Sequence, residues 1–253
     1  MFKVASLSDV GIKRTHNEDA ILVNTLASTF IVADGMGGHK KGEVASQLLI
    51  DTFTEVDTQV YTHSKNENYD EDDTLVPLSD IETHLNNIIK ITTDKMMSYA
   101  TENRIKTTMG TTVVGLKYLP NIQAWVLFHL GDSRAYHFRQ NTLKQLTTDH
   151  SKYEVMKQQN MSQEAILQTG KNIITKAVGN FRAYKLDIDY LNTKPGDILL
   201  LCSDGISDLC SNEELNLLII QYKDNLDFLC TQMKKLIYMR GAKDNLSIIL
   251  IQV

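Results

Sequence analysis

Cysteine is scarce in this chain and poorly spaced for chemistry. Cys202, Cys210 and Cys230 are an odd set with no CxxC pair. That argues against a disulfide framework and against a zinc site, and for a reducing compartment in which each thiol packs as a small apolar group. Long apolar runs are missing as well. Nothing approaches the roughly 18 residues of a membrane span. The N-terminal segment reaches Lys13, Arg14 and Asn17 without the apolar core of a signal peptide. The expected location is cytoplasmic, with no membrane contact. A basic excess is also lacking: the net charge is −5, which disfavours general nucleic-acid binding. No internal repeat, low-complexity segment or convincing linker interrupts the chain. What is present is 253 residues, 42% hydrophobic and 23% charged, enough for one large domain with a substantial core or two small ones.

The most informative stretch is Phe30-Ile-Val-Ala-Asp-Gly-Met-Gly-Gly-His39. Phe30 to Ala33 is a short apolar run of the kind that forms a buried strand, expected to end at Asp34. The glycines after Asp34 let the backbone turn and approach a ligand closely. A rigid carboxylate beside an uncrowded peptide carbonyl suits a hard divalent cation.

Along the chain, residues 2–8 and Ala20–Asn24 read as strands, with a hairpin at Ala27-Ser28 leading to the strand that carries Asp34. Antiparallel pairing of the last two would bring Asp19 and Asp34 to one sheet edge. Gly42–Val56 has helical periodicity, with Ala45, Leu48, Leu49, Thr52, Phe53 and Val56 on one face. Residues 57–77, with Asp70-Glu-Asp-Asp73, read as a solvated acidic loop. Ser79-x-x-Glu82 is a capping-box pattern that opens a second helix to about Ala100. Strands are expected at Thr111–Tyr118, Ala124–Leu130, Ala135–Arg139, Tyr184–Leu191, Asp197–Cys202 and Leu246–Val253. Residues 150–172 read as a polar helical flap. Ser211-x-x-Glu214 is a capping box that starts another helix, and a last helix runs from about Leu226 to Arg240, stopped by Gly241. Long helices in two blocks between runs of strands indicate an α+β fold.

Asp19, Asp34, Asp132, Asp204 and Asp244 fall where strands meet turns, and Glu18 joins them. Brought together without cations they would repel and take up protons. Two or more Mg²⁺ or Mn²⁺ ions remove that conflict, since oxygen ligands favour these over zinc. Such a pair activates a water for in-line attack on phosphorus with no side-chain nucleophile. Arg14, four residues before Glu18, has the fork that fits a phosphoryl group.

Arg14-x-x-Asn17-Glu18-Asp19, Asp34-Gly-Met-Gly-Gly-His39, Gly110-Thr-Thr112, Gly131-Asp-Ser-Arg134, Thr175-Lys-Ala-x-Gly179, Ser203-Asp-Gly205 and Asp244-Asn-x-Ser247 occur in this order over residues 3–253. Together they resemble the PP2C-type metal-dependent Ser/Thr protein phosphatases, most of all the bacterial branch. The resemblance implies one domain over 1–253, a four-layer α-β-β-α sandwich of two antiparallel sheets flanked by helix pairs. It implies phosphoserine and phosphothreonine in proteins as the substrate class, with a Ser/Thr kinase and its targets as partners and the chain a monomer. It further implies that Asp34 bridges two metals with the Gly35 carbonyl on one of them, that Asp204 and Asp244 hold one metal, and that Glu18 or Asp19 contributes directly or through water. Asp132 with Asp204 matches a third metal position, and Arg14 the phosphate-binding arginine. Asn17, Ser133 and Asn245 are expected in supporting hydrogen bonds, and Thr111 and Thr112 beneath the site. Two positions depart from the wider family. Met36 stands where eukaryotic members have the histidine proposed as general acid, leaving metal-bound water, His39 or no acid at all, and Lys176 stands where an arginine is usual. The alternatives are a phosphatase of small phosphorylated metabolites and a catalytically silent binding module on the same fold.

Overall fold

A computed structural model describes residues 2–37, 41–66, 78–105, 109–159, 161, 173–179 and 185–253. The acidic run at 70–73, His39 and most of the second half of the expected flap lie outside the described residues.

Two antiparallel sheets lie face to face. The first contains β1 (Lys3–Asp9), β7 (Arg134–Arg139), β8 (Thr142–Gln145), β10 (Ile198–Cys202) and β11 (Leu246–Gln252), in the order β1-β11-β10-β7-β8. The second contains β2 (Asp19–Asn24), β3 (Thr29–Met36), β5 (Val113–Leu119), β6 (Ala124–Leu130) and β9 (Asp187–Leu191), in that order, with the short β4 (Gly110–Thr111) pairing on β3. Helices α1 (Lys41–Asn66) and α2 (Leu78–Glu102) cover the outside of the second sheet. Helices α5 (Asn212–Tyr222) and α6 (Leu226–Met239) cover the first. The short α3 (Lys152–Gln158) and α4 (Asp204–Ser207) lie between strands in the chain. The result is the α-β-β-α order expected from the resemblance.

The near-continuous apolar strands follow from burial on both faces. Successive side chains of a strand point to opposite faces. In β10, Ile198, Leu200 and Cys202 join the core beneath α5 and α6, while Leu199 and Leu201 enter the layer between the sheets. In β3, Ile31 and Ala33 pack against α1 and α2, while Phe30 and Val32 face the other sheet. All three cysteines are buried and unpaired by disulfides, as their spacing suggested.

Several boundaries differ from the sequence expectation. β3 does not stop at Asp34 but continues through Gly35 to Met36, because β4 supplies a partner for Gly35 and Met36. α1 runs on to Asn66, well into the segment expected as an acidic loop. Residues 57–66 contain no glycine or proline, and adding turns to an existing helix costs far less than starting one. α2 begins at Leu78, so Ser79 lies inside it rather than at its cap. The strand expected from Tyr184 begins at Asp187, and β8 and α4 were not anticipated. The capping box at Ser211 is complete: the Ser211 hydroxyl accepts from the Glu214 N–H, and Glu214 accepts from the Ser211 N–H at 2.9 Å. No described helix is long and apolar enough to cross a membrane.

Candidate metal centre

One end of the sandwich gathers the carboxylates. Asp19 opens β2 and stands directly across from Asp34 in β3, the pairing expected from the hairpin. Asp132 lies in the turn between β6 and β7, Asp204 opens α4 just beyond β10, and Asp244 precedes β11. Both sheets therefore contribute, and the antiparallel order brings alternate strand ends to the same edge.

Each loop is tied by its own polar side chains. The Asn17 amide donates to Ser8 Oγ at 2.8 Å, and its oxygen accepts from the Asp19 N–H at 3.2 Å. Asn245 Oδ1 accepts from the Glu18 N–H at 2.8 Å, while its amide nitrogen donates to the Val10 and His16 carbonyls at 2.9 Å each. Thr112 Oγ1 accepts from the Asp34 N–H at 3.0 Å and bonds Ser133 Oγ at 2.7 Å. Thr111 Oγ1 donates to the Asp34 carbonyl at 3.0 Å. Close backbone approach completes the frame. A Cβ on Gly35 would lie 2.1 Å from the Gly42 carbonyl oxygen, so only glycine lets β3 pack on the first turn of α1 here.

The carboxylates themselves are poorly compensated. Asp19 Oδ2 accepts from Ser203 Oγ at 2.7 Å, yet its Oδ1 is buried without a hydrogen-bond partner, as is Asp132 Oδ1. Burial, with some relief from Ser203 and Ser247 and further repulsion from Asp204 and Asp244, raises Asp19 to about 7. Burial and then Asp204 raise Asp132 to about 7. Asp34 and Asp204 lie within hydrogen-bonding reach of each other, and a proton shared between them relieves the contact. Burial and then Asp244 put Asp204 at about 6; burial and then Asp19 drive Asp34 well above the ordinary carboxylate range. Orphaned buried oxygens and repelling carboxylates fit divalent cations, which would satisfy both at once.

Arg14 leans over this group. Its Nη2 donates to Asp244 Oδ2 at 2.8 Å, and its Nη1 stands 3.9 Å from Glu18 Oε2. The side chain remains 48% exposed, so part of the fork faces solvent. Beside the carboxylates opens a cleft of about 240 Å³, lined by Asp132, Arg134, Asp149, Glu154, Asp204 and Asp208 among others. Arg134 grips Asp149 with both ends of its fork, at 2.9 and 2.7 Å.

The structure thus brings Arg14, Glu18, Asp19, Asp34, Asp132, Asp204 and Asp244 to one end, with Asn17, Ser133 and Asn245 supporting them. Lys176 lies elsewhere, beside His150 and Asp187. The serines escaped sequence reasoning: Ser203 was read only as part of its motif, although a hydroxyl next to an aspartate at a strand end is the available signal. Ser203 also accepts from the Ser247 N–H at 3.0 Å, so it links Asp19 to β11.

A family-wide sequence profile described as protein phosphatase 2C matches residues 12–249. The serine/threonine phosphatase stp of Listeria welshimeri is 30% identical, with 97% of this chain and 93% of that protein aligned. The structure of the serine/threonine phosphatase of S. agalactiae matches with a TM-score of 0.83 at 28% identity, covering 100% of each chain. The catalytic domain of the serine/threonine protein phosphatase PstP, solved with two manganese ions, matches with a TM-score of 0.80 at 25% identity over 99% of this chain and 97% of that one.

Proposed function

The chain belongs to the protein phosphatase 2C family and is a metal-dependent Ser/Thr protein phosphatase, and we propose that the carboxylate end described above is its active site, within a single catalytic domain spanning 1–253. The observation that carries this assignment is the pair of buried, unpartnered oxygens on Asp19 and Asp132 among carboxylates that repel one another.

In this reading Asp34, the Gly35 carbonyl, Asp204 and Asp244 hold two cations, Mn²⁺ or Mg²⁺, with Glu18 and Asp19 contributing directly or through water. Asp132 with Asp204 offers a third position. When bound, the ions supply the positive charge that activates water and polarises the phosphoryl group. Arg14 receives the phosphoryl oxygens: Asp244 fixes one arm of its guanidinium while the exposed remainder is open to a ligand from solvent. Asn17, Ser133 and Asn245 hold the loops in register, so the carboxylates need little rearrangement to bind. Met36 has no exchangeable proton, so this side chain does not protonate the leaving hydroxyl. Phosphoserine and phosphothreonine proteins are the substrates; a Ser/Thr kinase and its targets are the partners proposed, with the protein acting as a cytoplasmic monomer.

Phosphate release from a phosphothreonine peptide by chelator-treated protein tests this. Release restored by Mn²⁺ or Mg²⁺, and favoured over phosphosugars in competition, is the expected result. Preferential turnover of the sugars would shift the substrate to small metabolites. Binding of Mn²⁺ with no turnover of either would favour a silent binding module.

A further inference from the structure

His129, His150 and Asp187 bring nitrogen and oxygen atoms to within 4.8 Å of one another, the spacing of a metal site. Their hydrogen bonds give a different account. The Gly131 N–H donates to His150 Nδ1 at 3.1 Å, and a backbone amide only donates, so Nδ1 carries the lone pair. The proton of the neutral ring is then on Nε2, which faces Asp187 Oδ2 at 3.1 Å. A protonated nitrogen does not bind a metal. The Lys176 ammonium stands 3.3 Å from the same nitrogen and 3.5 Å from Asp187 Oδ1, which already places a positive charge there.

What the arrangement does is hold Gly131. The His150 N–H donates to the Gly131 carbonyl at 2.8 Å, so His150 grips both polar groups of that residue. Gly131 has φ +125°, and a Cβ there would lie 2.6 Å from Thr112 Cβ. The turn is therefore clamped between Thr112 on one side and His150 on the other, and the next residue is Asp132. The His129 ring stacks on His150 at 4.5 Å and is itself fixed by its Nε2–H to the Thr148 carbonyl at 3.0 Å. The segment leading to Lys176 hangs from the same residue: the Thr175 N–H donates to the His150 carbonyl at 2.7 Å, and the Lys152 N–H to the Ile173 carbonyl at 2.8 Å.

We propose that His150 is a positioning residue for Asp132: through Nδ1 it sets the Gly131 peptide, and through Nε2 it ties that setting to Asp187 and Lys176. This rests on the assignment of Asp132 as a cation ligand. It gives Lys176 a role away from the carboxylates, as a neighbour of the His150–Asp187 pair. It also makes the segment at 173–176 a lever on cation affinity.

Asparagine and glutamine separate the two ring nitrogens. Asparagine places an acceptor near the position of Nδ1, and glutamine places a donor near that of Nε2. Mn²⁺ binding by calorimetry and Mn²⁺ activation of phosphopeptide turnover are measured for the wild type, His150→Asn and His150→Gln, with thermal unfolding alongside. His150→Gln is expected to weaken the weakest Mn²⁺ site about 10-fold or more, the scale for residues that orient a metal ligand. His150→Asn is expected to stay within about threefold of the wild type, which a purely structural role would not produce. Equal Mn²⁺ affinities for the two variants, whether both lowered or both unchanged, would overturn the proposal. If His150→Gln does not fold, His150→Ala, which supplies neither polar atom, takes its place: Mn²⁺ binding weaker than that of His150→Asn supports the proposal and binding equal to it overturns it. A wild type that turns over no phosphopeptide would count against the functional reading alone, because calorimetry still decides what His150 does.

Discussion

Strand β10 has an aspartate just before its first residue and another two residues after its last, and the two live in opposite surroundings. Asp197 is 3% exposed. It accepts from Arg139 Nη2 at 2.6 Å, from His137 Nε2 at 2.9 Å and from the Lys194 N–H at 2.8 Å. Burial alone would raise it, but these donors outweigh burial and hold it at about 2. Asp204, at the other end, faces other carboxylates and stands at about 6, with burial the main cause and Asp244 the next. A buried charge is tolerated when it is paired and costs free energy when it is not. The first end is a finished structural anchor. The second is incomplete as a structure, and a fold keeps such a cluster only where something else binds.

The comparison can be broken most forcefully at the carboxylate end. Asp34→Ala should lower phosphate release by more than about 100-fold, beyond the range for groups that merely support a metal ligand, while the protein remains folded by circular dichroism. Full activity in that variant would remove Asp34 from the site. Asp197→Asn should do the reverse. Its depression from 3.8 to about 2 corresponds to roughly 2 kcal/mol of stability at neutral pH. That predicts a melting temperature lower by about 4–8 °C for a domain of this size, with activity within about twofold of the wild type, since the site is remote. Ser203→Ala should cost about 1 kcal/mol by urea unfolding, and should push Asp19 higher still by removing its hydroxyl donor.

The two ends also oppose each other in pH dependence. Asp197 has a depressed folded value, so its stabilisation is complete above the ordinary 3.8 and is lost as pH falls through about 2. Asp19 and Asp132 have raised values, so without cations they cost nothing below 3.8 and progressively more as pH rises towards 7. Chelated protein should therefore lose stability between about pH 4 and 7, and Mn²⁺ should restore it. Urea unfolding across that range with and without Mn²⁺ checks the sign. Stability of the chelated protein that rises steadily over the window would contradict it.

Much of this was legible in the sequence because it depends on local signals. The run Ile198–Cys202 followed by Ser203-Asp-Gly205 marks a buried strand meeting an acidic turn, and the hairpin at Ser28 fixes the register of Asp19 against Asp34. Antiparallel pairing then gathers the carboxylates without further information. What was not legible depends on partners distant in sequence. β3 continues to Met36 only because Gly110 and Thr111 arrive beside it. The His137–Arg139–Asp197 cluster spans 58 residues between Arg139 and Asp197. His129, His150 and Asp187 show no ligand spacing along the chain, and Asp187 comes beside His129 only once β6 and β9 pair.

The carboxylates gathered around Asp204 are arranged to exchange protons for divalent cations. Titration of Mn²⁺ into chelated protein near pH 6.5, repeated in buffers of different ionisation enthalpy, measures this directly. The account predicts binding that releases about one proton or more per protein and that is much weakened in Asp34→Ala. Binding with no proton release, or equally tight binding by Asp34→Ala, would contradict it.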